Sequence, residues 1–271
     1  YPTGTDNVAM GDTALDSVQA GGNYNVAIGH AAGTAITTGA CNTAVGFCSL
    51  QANITGARNT AFGVCSLYLN TANNNTAIGS FGMKCNTTGT QNTALGYTAL
   101  FSNTTGNNNI GIGYQALNAN TTSCDSVAIG HSALIVSTGC RNTVVGSCAL
   151  KANTTGTHNV ASGFTSMFAN TEGIKNTAYG YASLGANQTG DENVAIGCGA
   201  LGGNTTANNN TAVGGNSLKA NTSGTNNVAV GKNALTANTT ASNNIAIGLD
   251  SMCVNQTGIK NVAMGTDTLR N

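Results

Sequence analysis

The chain has 271 residues, nine basic and nine acidic side chains, one proline and no tryptophan, and only 7% of it is charged. Such sparse, balanced charge gives no electrostatic reason to expect nucleic acid or an anionic membrane as partner, and no apolar run reaches the roughly 18 residues a bilayer-spanning helix needs. Gly (37), Asn (40) and Thr (40) dominate without a Gly-X-Y period, which excludes collagen, and abundant Val, Ile, Leu and Ala argue against simple disorder.

The chain is one motif written sixteen times. Its anchor is a glycine: Gly11, Gly29, Gly46, Gly63, Gly79, Gly96, Gly113, Gly130, Gly146, Gly163, Gly180, Gly197, Gly214, Gly231, Gly248 and Gly265. Successive anchors are 18, 17, 17, 16, 17, 17, 17 and 16 residues apart, then 17 throughout. Each copy opens on a segment such as Asn92-Thr-Ala-Leu-Gly96. It is rich in β-branched residues and flanked by turn formers, which predicts a short strand. The Ala-Leu segment after the anchor reads as a second, shorter strand or an extended leg. Asn-Thr-Thr-Gly, as at 103–106, reads as the turn, because Asn and Gly tolerate positive φ. Seventeen residues are too few for a helical-hairpin repeat. The expected fold is all-β: a parallel β-solenoid of about sixteen coils, stacked at the strand spacing of about 4.8 Å into a rod roughly 75 Å long.

The residue columns carry the detail. Four residues before the anchor stands Asn in 15 of 16 copies, among them Asn25, Asn42, Asn59, Asn75, Asn92 and Asn193. Seven after it stands Asn in 12 copies, among them Asn53, Asn70, Asn86 and Asn103. Both columns are expected to form amide ladders between coils. Two before the anchor is Ala in 14 copies, where close packing excludes anything larger, and four after it is Leu or Met in 15, an apolar stack. In Asn193-Val-Ala-Ile-Gly197, Val194 and Ile196 point one way while Asn193, Ala195 and Gly197 point the other. Neither face has the charged residues of a solvated strand, so burial on both sides is expected, the second side by another copy of the chain. Tyr1 is no initiator Met, and Arg270 and Asn271 stop in mid-unit without a capping coil. Residues 1–271 are therefore expected to be one repeat domain taken from a longer fibre.

The segments Asn25-Val-Ala-Ile-Gly29, Ser126-Val-Ala-Ile-Gly130 and Asn193-Val-Ala-Ile-Gly197 resemble the head repeats of trimeric autotransporter adhesins. The longer unit, as in Asn210-Thr-Ala-Val-Gly followed by Ala-Leu-x-x-Asn-Thr-Thr-Gly, is similar to repeats in fibre and adhesin-like proteins of bacteria, phages and large DNA viruses. The resemblance covers the whole chain. It implies a left-handed parallel β-roll, a parallel homotrimer and a place on a cell or virion surface. Two features depart from it: the 17-residue unit is longer than the usual adhesin-head unit, and nine cysteines are unusual there.

Motifs for chemistry are absent from the sequence. There is no P-loop, no His-Glu-x-x-His and no Gly-x-Ser-x-Gly in a strand-turn-helix context. His30 and His131 share a column six coils apart, about 29 Å at the strand spacing, too far to share a metal. No enzyme activity, cofactor or metal is expected. Cys48 and Cys65 stand in one column of consecutive coils, as do Cys124 and Cys140. That spacing suits disulfides; the plainer reading is Cys as small apolar filler. Ten of the twelve turn asparagines lie in Asn-x-Ser/Thr sequons, yet glycans about 4.8 Å apart would collide.

A variable column five residues after the anchor holds Tyr68, Lys84, Phe101, Lys151 and Phe168. Variability within a strict repeat marks a solvated face, where these side chains meet a host-surface glycan, a protein or a neighbouring chain. The expected function is an extracellular structural or adhesive fibre, shaft or head, whose main partner is itself. The alternatives are a filament grown by end-to-end stacking and an ice-binding solenoid using the column of Thr38, Thr55, Thr88, Thr105 and Thr122. No nucleic-acid partner or membrane insertion is expected.

Overall fold

The computed structural model describes residues 4–270. Tyr1 and Asn271, on which the reading of the ends partly rests, lie outside them. The chain forms two compact units, Tyr1–Thr138 and Gly139–Asn271. Both are parallel β-solenoids made of the same coil, and no described residue is helical.

The first unit holds β1 (Val8–Met10), β2 (Val26–Ile28), β3 (Thr43–Val45), β4 (Thr60–Phe62), β5 (Thr76–Ile78), β6 (Thr93–Leu95), β7 (Ile110–Ile112) and β8 (Val127–Ile129). The second holds β9 (Thr143–Val145), β10 (Val160–Ser162), β11 (Thr177–Tyr179), β12 (Val194–Ile196), β13 (Thr211–Val213), β14 (Val228–Val230), β15 (Ile245–Ile247) and β16 (Val262–Met264). Within each unit every strand pairs in parallel with the next. Like positions face each other, as in Val26↔Thr43, Ala27↔Ala44 and Ile28↔Val45.

The inward face of the strands is the small one. Ala94 and Ala195 are buried, and so are Asn92 and Asn193. The room is filled from across the coil by the Leu/Met column, with Leu50, Leu67, Met83, Leu100 and Leu117 fully buried. A methyl added at Gly111, an Ala-column position, would lie 3.2 Å from Leu100 Cγ. Opposite Leu the space is small: the column holds Ala in fourteen coils, Gly111 in one, and in one the fully buried Val144.

The anchor glycines answer to a second constraint. Gly96 has φ +135°, and a Cβ there would sit 2.6 Å from the carbonyl oxygen of Gly113 in the next coil. Only glycine fits both the dihedral and the gap.

The segment after the anchor is not a second strand, which corrects the sequence reading. The residues two and four after the anchor are left-handed in every coil, for example Thr98 (φ 51°) and Leu100 (φ 51°). The N–H groups of the two left-handed residues, two positions apart, point to opposite neighbours, while the N–H between them bonds within its own turn. Cys48 donates back to His30 O at 2.9 Å, and Leu50 donates forward to Ser66 O at 2.9 Å. The backbone is thus paired between coils without being β. Holding a Leu left-handed costs about 1–2 kcal/mol, and fully burying it returns about 1.5–3 kcal/mol, so the column offsets its own strain. The exception supports this account: Gly33 replaces Leu, and Ile36, in a position usually held by Asn, folds its Cδ1 to within 2.9 Å of where a Cβ would be.

Candidate functional site

The outward strand columns, the residues three and one before the anchor, hold no charged residue in any of the sixteen coils. In the first unit the column just before the anchor runs Met10, Ile28, Val45, Phe62, Ile78, Leu95, Ile112, Ile129. In the second it runs Val145, Ser162, Tyr179, Ile196, Val213, Val230, Ile247, Met264. Several are well exposed: Phe62 at 55%, Tyr179 at 62% and Ile196 at 40%. A solvated strand face normally carries Lys, Glu or varied polar residues. Here the single chain buries its Ala and Asn side and leaves the large apolar side in water. The sequence reading of a strand buried on both faces therefore holds for one face only within the chain.

Beside these columns runs a third, one residue after the anchor, which stacks rings between coils. Tyr97 lies 5.7 Å from Tyr114, and Tyr114 lies 5.2 Å from His131, with ring planes 14° and 6° apart. His30 stacks on Phe47 at 5.3 Å, and in the second unit Phe164 stacks on Tyr181 at 5.9 Å. This column escaped the sequence reading; its signal was an aromatic or His directly after the anchor in seven copies. Each unit thus presents a broad, largely apolar and aromatic strip whose charges, Asp12 and Lys232 of the third column apart, lie elsewhere. The left-handed column just before the entry Asn carries many of them, including the exposed Lys175–Glu192 pair at 3.0 Å.

The asparagines lie inside. Asn193 shows the pattern of the entry column: its amide nitrogen donates to Asn176 Oδ1 at 3.1 Å and to Ala207 O at 2.8 Å. Its Oδ1 accepts from the backbone N–H of Asn210 at 3.0 Å. Asn25, Asn42, Asn59, Asn75 and Asn92 are joined by the same backbone-to-amide bonds. In the turn column Asn86 Nδ2 donates to Asn70 Oδ1 at 2.6 Å, and Asn103 Nδ2 to Asn86 Oδ1 at 2.7 Å. Asn53 does not join: its Oδ1 is buried without a partner. Asn103 and Asn187 are fully buried with the nitrogen donating twice, so the folded chain offers these sequon amides to no glycan.

Among the candidate surface residues, Tyr68, Lys84 and Phe101 come together. The Lys84 ammonium lies 5.8 Å from the Tyr68 ring centre and 6.0 Å from that of Phe101. In the second unit Lys151 lies 5.8 Å over Phe168. These cation–π contacts occupy the side chains along the coil axis. Cys48 and Cys65 are neighbouring thiols, not a disulfide. Burial first, and then the Cys65 thiol beside it, push the Cys48 thiol above its ordinary range. Cys124 lies in the first unit and Cys140 in the second, each partly buried. Among the described residues no three His, Cys, Asp or Glu side chains cluster as a metal site.

No family model, curated protein or solved structure matches the chain.

Proposed function

We propose that the chain is a structural or adhesive fibre segment, a shaft or head on a cell or virion surface, in which identical chains lie in parallel and bury their strand faces against one another. The observation that carries this reading is the outward strand face: free of charge, apolar save for Ser162 in the column just before the anchor, Val, Ile or Thr in the other, and repeated through eight consecutive coils of each unit. Monomers rarely leave large contiguous apolar patches in water. A partner with the same repeat supplies matching rungs in register, which makes a second copy the natural cover. Three chains around an axis is the arrangement that the adhesin-head resemblance suggests. The role is mechanical: inner columns fix the coil, outer columns join the chains, and the remaining faces are free to attach to a host-surface glycan or protein.

The mass of the purified chain in solution tests this. Light scattering is expected to give three times the 26.9 kDa of one chain. Paired charges in the outward column, Tyr179→Glu with Ile196→Glu, are expected to split the assembly into folded single chains, since buried like charges are costly in an interface. A wild-type chain that stays single at high concentration would end the proposal.

A further inference from the structure

The column five residues after the anchor is the most varied in the chain, but in the second unit its variation has a shape. Reading along the coils, it runs Lys151, Phe168, Gly185, Gly202, Lys219. In the first unit the corresponding stretch Tyr68, Lys84, Phe101 is filled, each side chain covering the next. In the second, Lys151 covers one side of Phe168, and the next two places are empty. The result is a groove of about 790 Å³ that runs from Phe168 to Lys219, with Tyr181 and Asn216 along its wall.

The backbone does not demand these glycines. Neither Gly185 nor Gly202 is left-handed. The nearest atom to a Cβ on either is a carbonyl oxygen of its own turn, at 3.1 Å, and other coils carry Phe, Tyr, Lys and Ile at this position. The anchor glycines, by contrast, are forced. Packing therefore does not explain two adjacent glycines between a phenylalanine and a lysine. Removing two side chains uncovers the next ring face of Phe168 and leaves Lys219 as the only charged side chain lining the gap. The ammonium of Lys219 has no ion-pair partner among the described residues, unlike Lys175.

We propose that this groove binds a saccharide bearing a carboxylate, with a sugar ring against Phe168 and Tyr181 and the carboxylate on Lys219. From Phe168 to Lys219 is three coil steps, about 14 Å at the strand spacing, which leaves room for two linked sugar rings. The C–H face of a pyranose suits an exposed aromatic ring, whose face is electron-rich. Its hydroxyls suit the Asn216 amide. The single cation selects an anion through a charge-assisted hydrogen bond. An acyl chain fits less well, because Phe168 and Tyr181 are 41% and 58% exposed and enclose nothing. An added peptide strand has no free sheet edge here, since β11, β12 and β13 pair with their neighbours on both sides. The site lies within one unit of one chain and does not rest on association of the strand faces.

The test uses the whole chain, in whatever oligomeric state it adopts, and a tetrasaccharide of alternating glucuronate and N-acetylglucosamine. Saturation-transfer NMR is expected to show sugar protons in contact with the protein. Titration is expected to show binding about tenfold weaker for the carboxyl-reduced tetrasaccharide and for Lys219→Gln, one charge-assisted bond in each case. Gly185→Leu with Gly202→Leu, which refills the column, is expected to abolish binding while the melting temperature holds. Lys84→Gln, in the filled column, is expected to change nothing. Absence of binding by the wild type, equal binding of the carboxyl-reduced sugar, or unchanged binding by the double leucine variant would each overturn the proposal. So would a double leucine variant that changes the mass in solution while the wild type binds no sugar, which would make the groove a contact between copies. The mass of the wild type, read separately, decides the fibre proposal and leaves this one untouched.

Discussion

The two asparagine ladders use the same side chain in the same coils, yet they meet a short coil differently. Between Gly63 and Gly79 the spacing is 16 residues, one fewer than usual. The entry ladder keeps its backbone rungs across it: the Asn75 N–H donates to Asn59 Oδ1 at 3.0 Å, and the Asn92 N–H to Asn75 Oδ1 at 3.0 Å, while the Asn75 amide nitrogen turns to Asn70 Oδ1 at 3.1 Å. The turn ladder loses a rung. Asn70 Nδ2 reaches Ala72 O, two residues on, where Asn53 reaches Gly56 O three on, and Asn53 Oδ1 is left unpaired. The entry rung includes a backbone N–H, whose place the sheet register fixes. The turn rung is side chain to side chain, so its geometry follows the length of the turn.

The largest effect is expected where backbone and amide are joined. Asn193→Ala removes the acceptor of the Asn210 N–H and the side-chain donor to Ala207 O. Ala207 O keeps the Asn204 amide, but the Asn210 N–H has no second partner in the rung. With a buried N–H orphaned and further bonds to both neighbouring coils lost, the expected cost is about 3–5 kcal/mol. Hydrogen exchange of the Asn210 amide is the sharper reading, because it reports the orphaned group itself. An Asn210 amide as protected as before would break the comparison.

A smaller effect is expected in the turn ladder. Asn187 gives its nitrogen to Asn170 Oδ1 and Gly190 O and accepts from Asn204 Nδ2. Gly190 O is also served by Asn176, and Asn204 Nδ2 by Ala207 O. Asn187→Ala therefore orphans one oxygen, for an expected loss of about 1–2 kcal/mol in denaturant unfolding. A loss equal to that of Asn193→Ala would show that the ladders are not graded as their partners suggest. The chain's own variation follows the same order: Val18, Ile36 and Ser137 stand in the turn column, whereas only Ser126 interrupts the entry column.

Much of this was legible in the sequence, because stacking identical coils repeats each constraint in every copy. The period, the parallel strand and the inner Leu stack follow from columns that scarcely vary. The direction of the strand face was not legible. Ile and Val ordinarily point inward, and only the Leu supplied from across the coil, as at Leu100 opposite Gly111, keeps the inward column small, with Val144 its one larger member. Nor was the left-handed segment. Thr98 and Leu100 are residue types that avoid positive φ, so their presence argued for an extended leg. Gly185 and Gly202 were hidden by abundance: among 37 glycines, two that no backbone requirement explains look like the rest.

The finest test of the comparison repairs the chain. The short coil has one residue, Thr71, between Asn70 and Ala72, where the other turn asparagines are followed by two, most often Thr-Thr. Inserting one threonine after Asn70 gives its amide the usual reach of three residues and brings Nδ2 within range of Asn53 Oδ1. The gain is one buried hydrogen bond in place of an orphaned oxygen, about 1 kcal/mol. The backbone rungs of the entry ladder already cross this coil and have nothing to gain. The expected result is a small rise in the denaturant midpoint, with slower exchange confined to the turn side of the coils carrying Asn53 and Asn70. A fall in stability would mean that neighbouring coils are adapted to the shortened turn, and that the unpaired oxygen is the lesser of two costs.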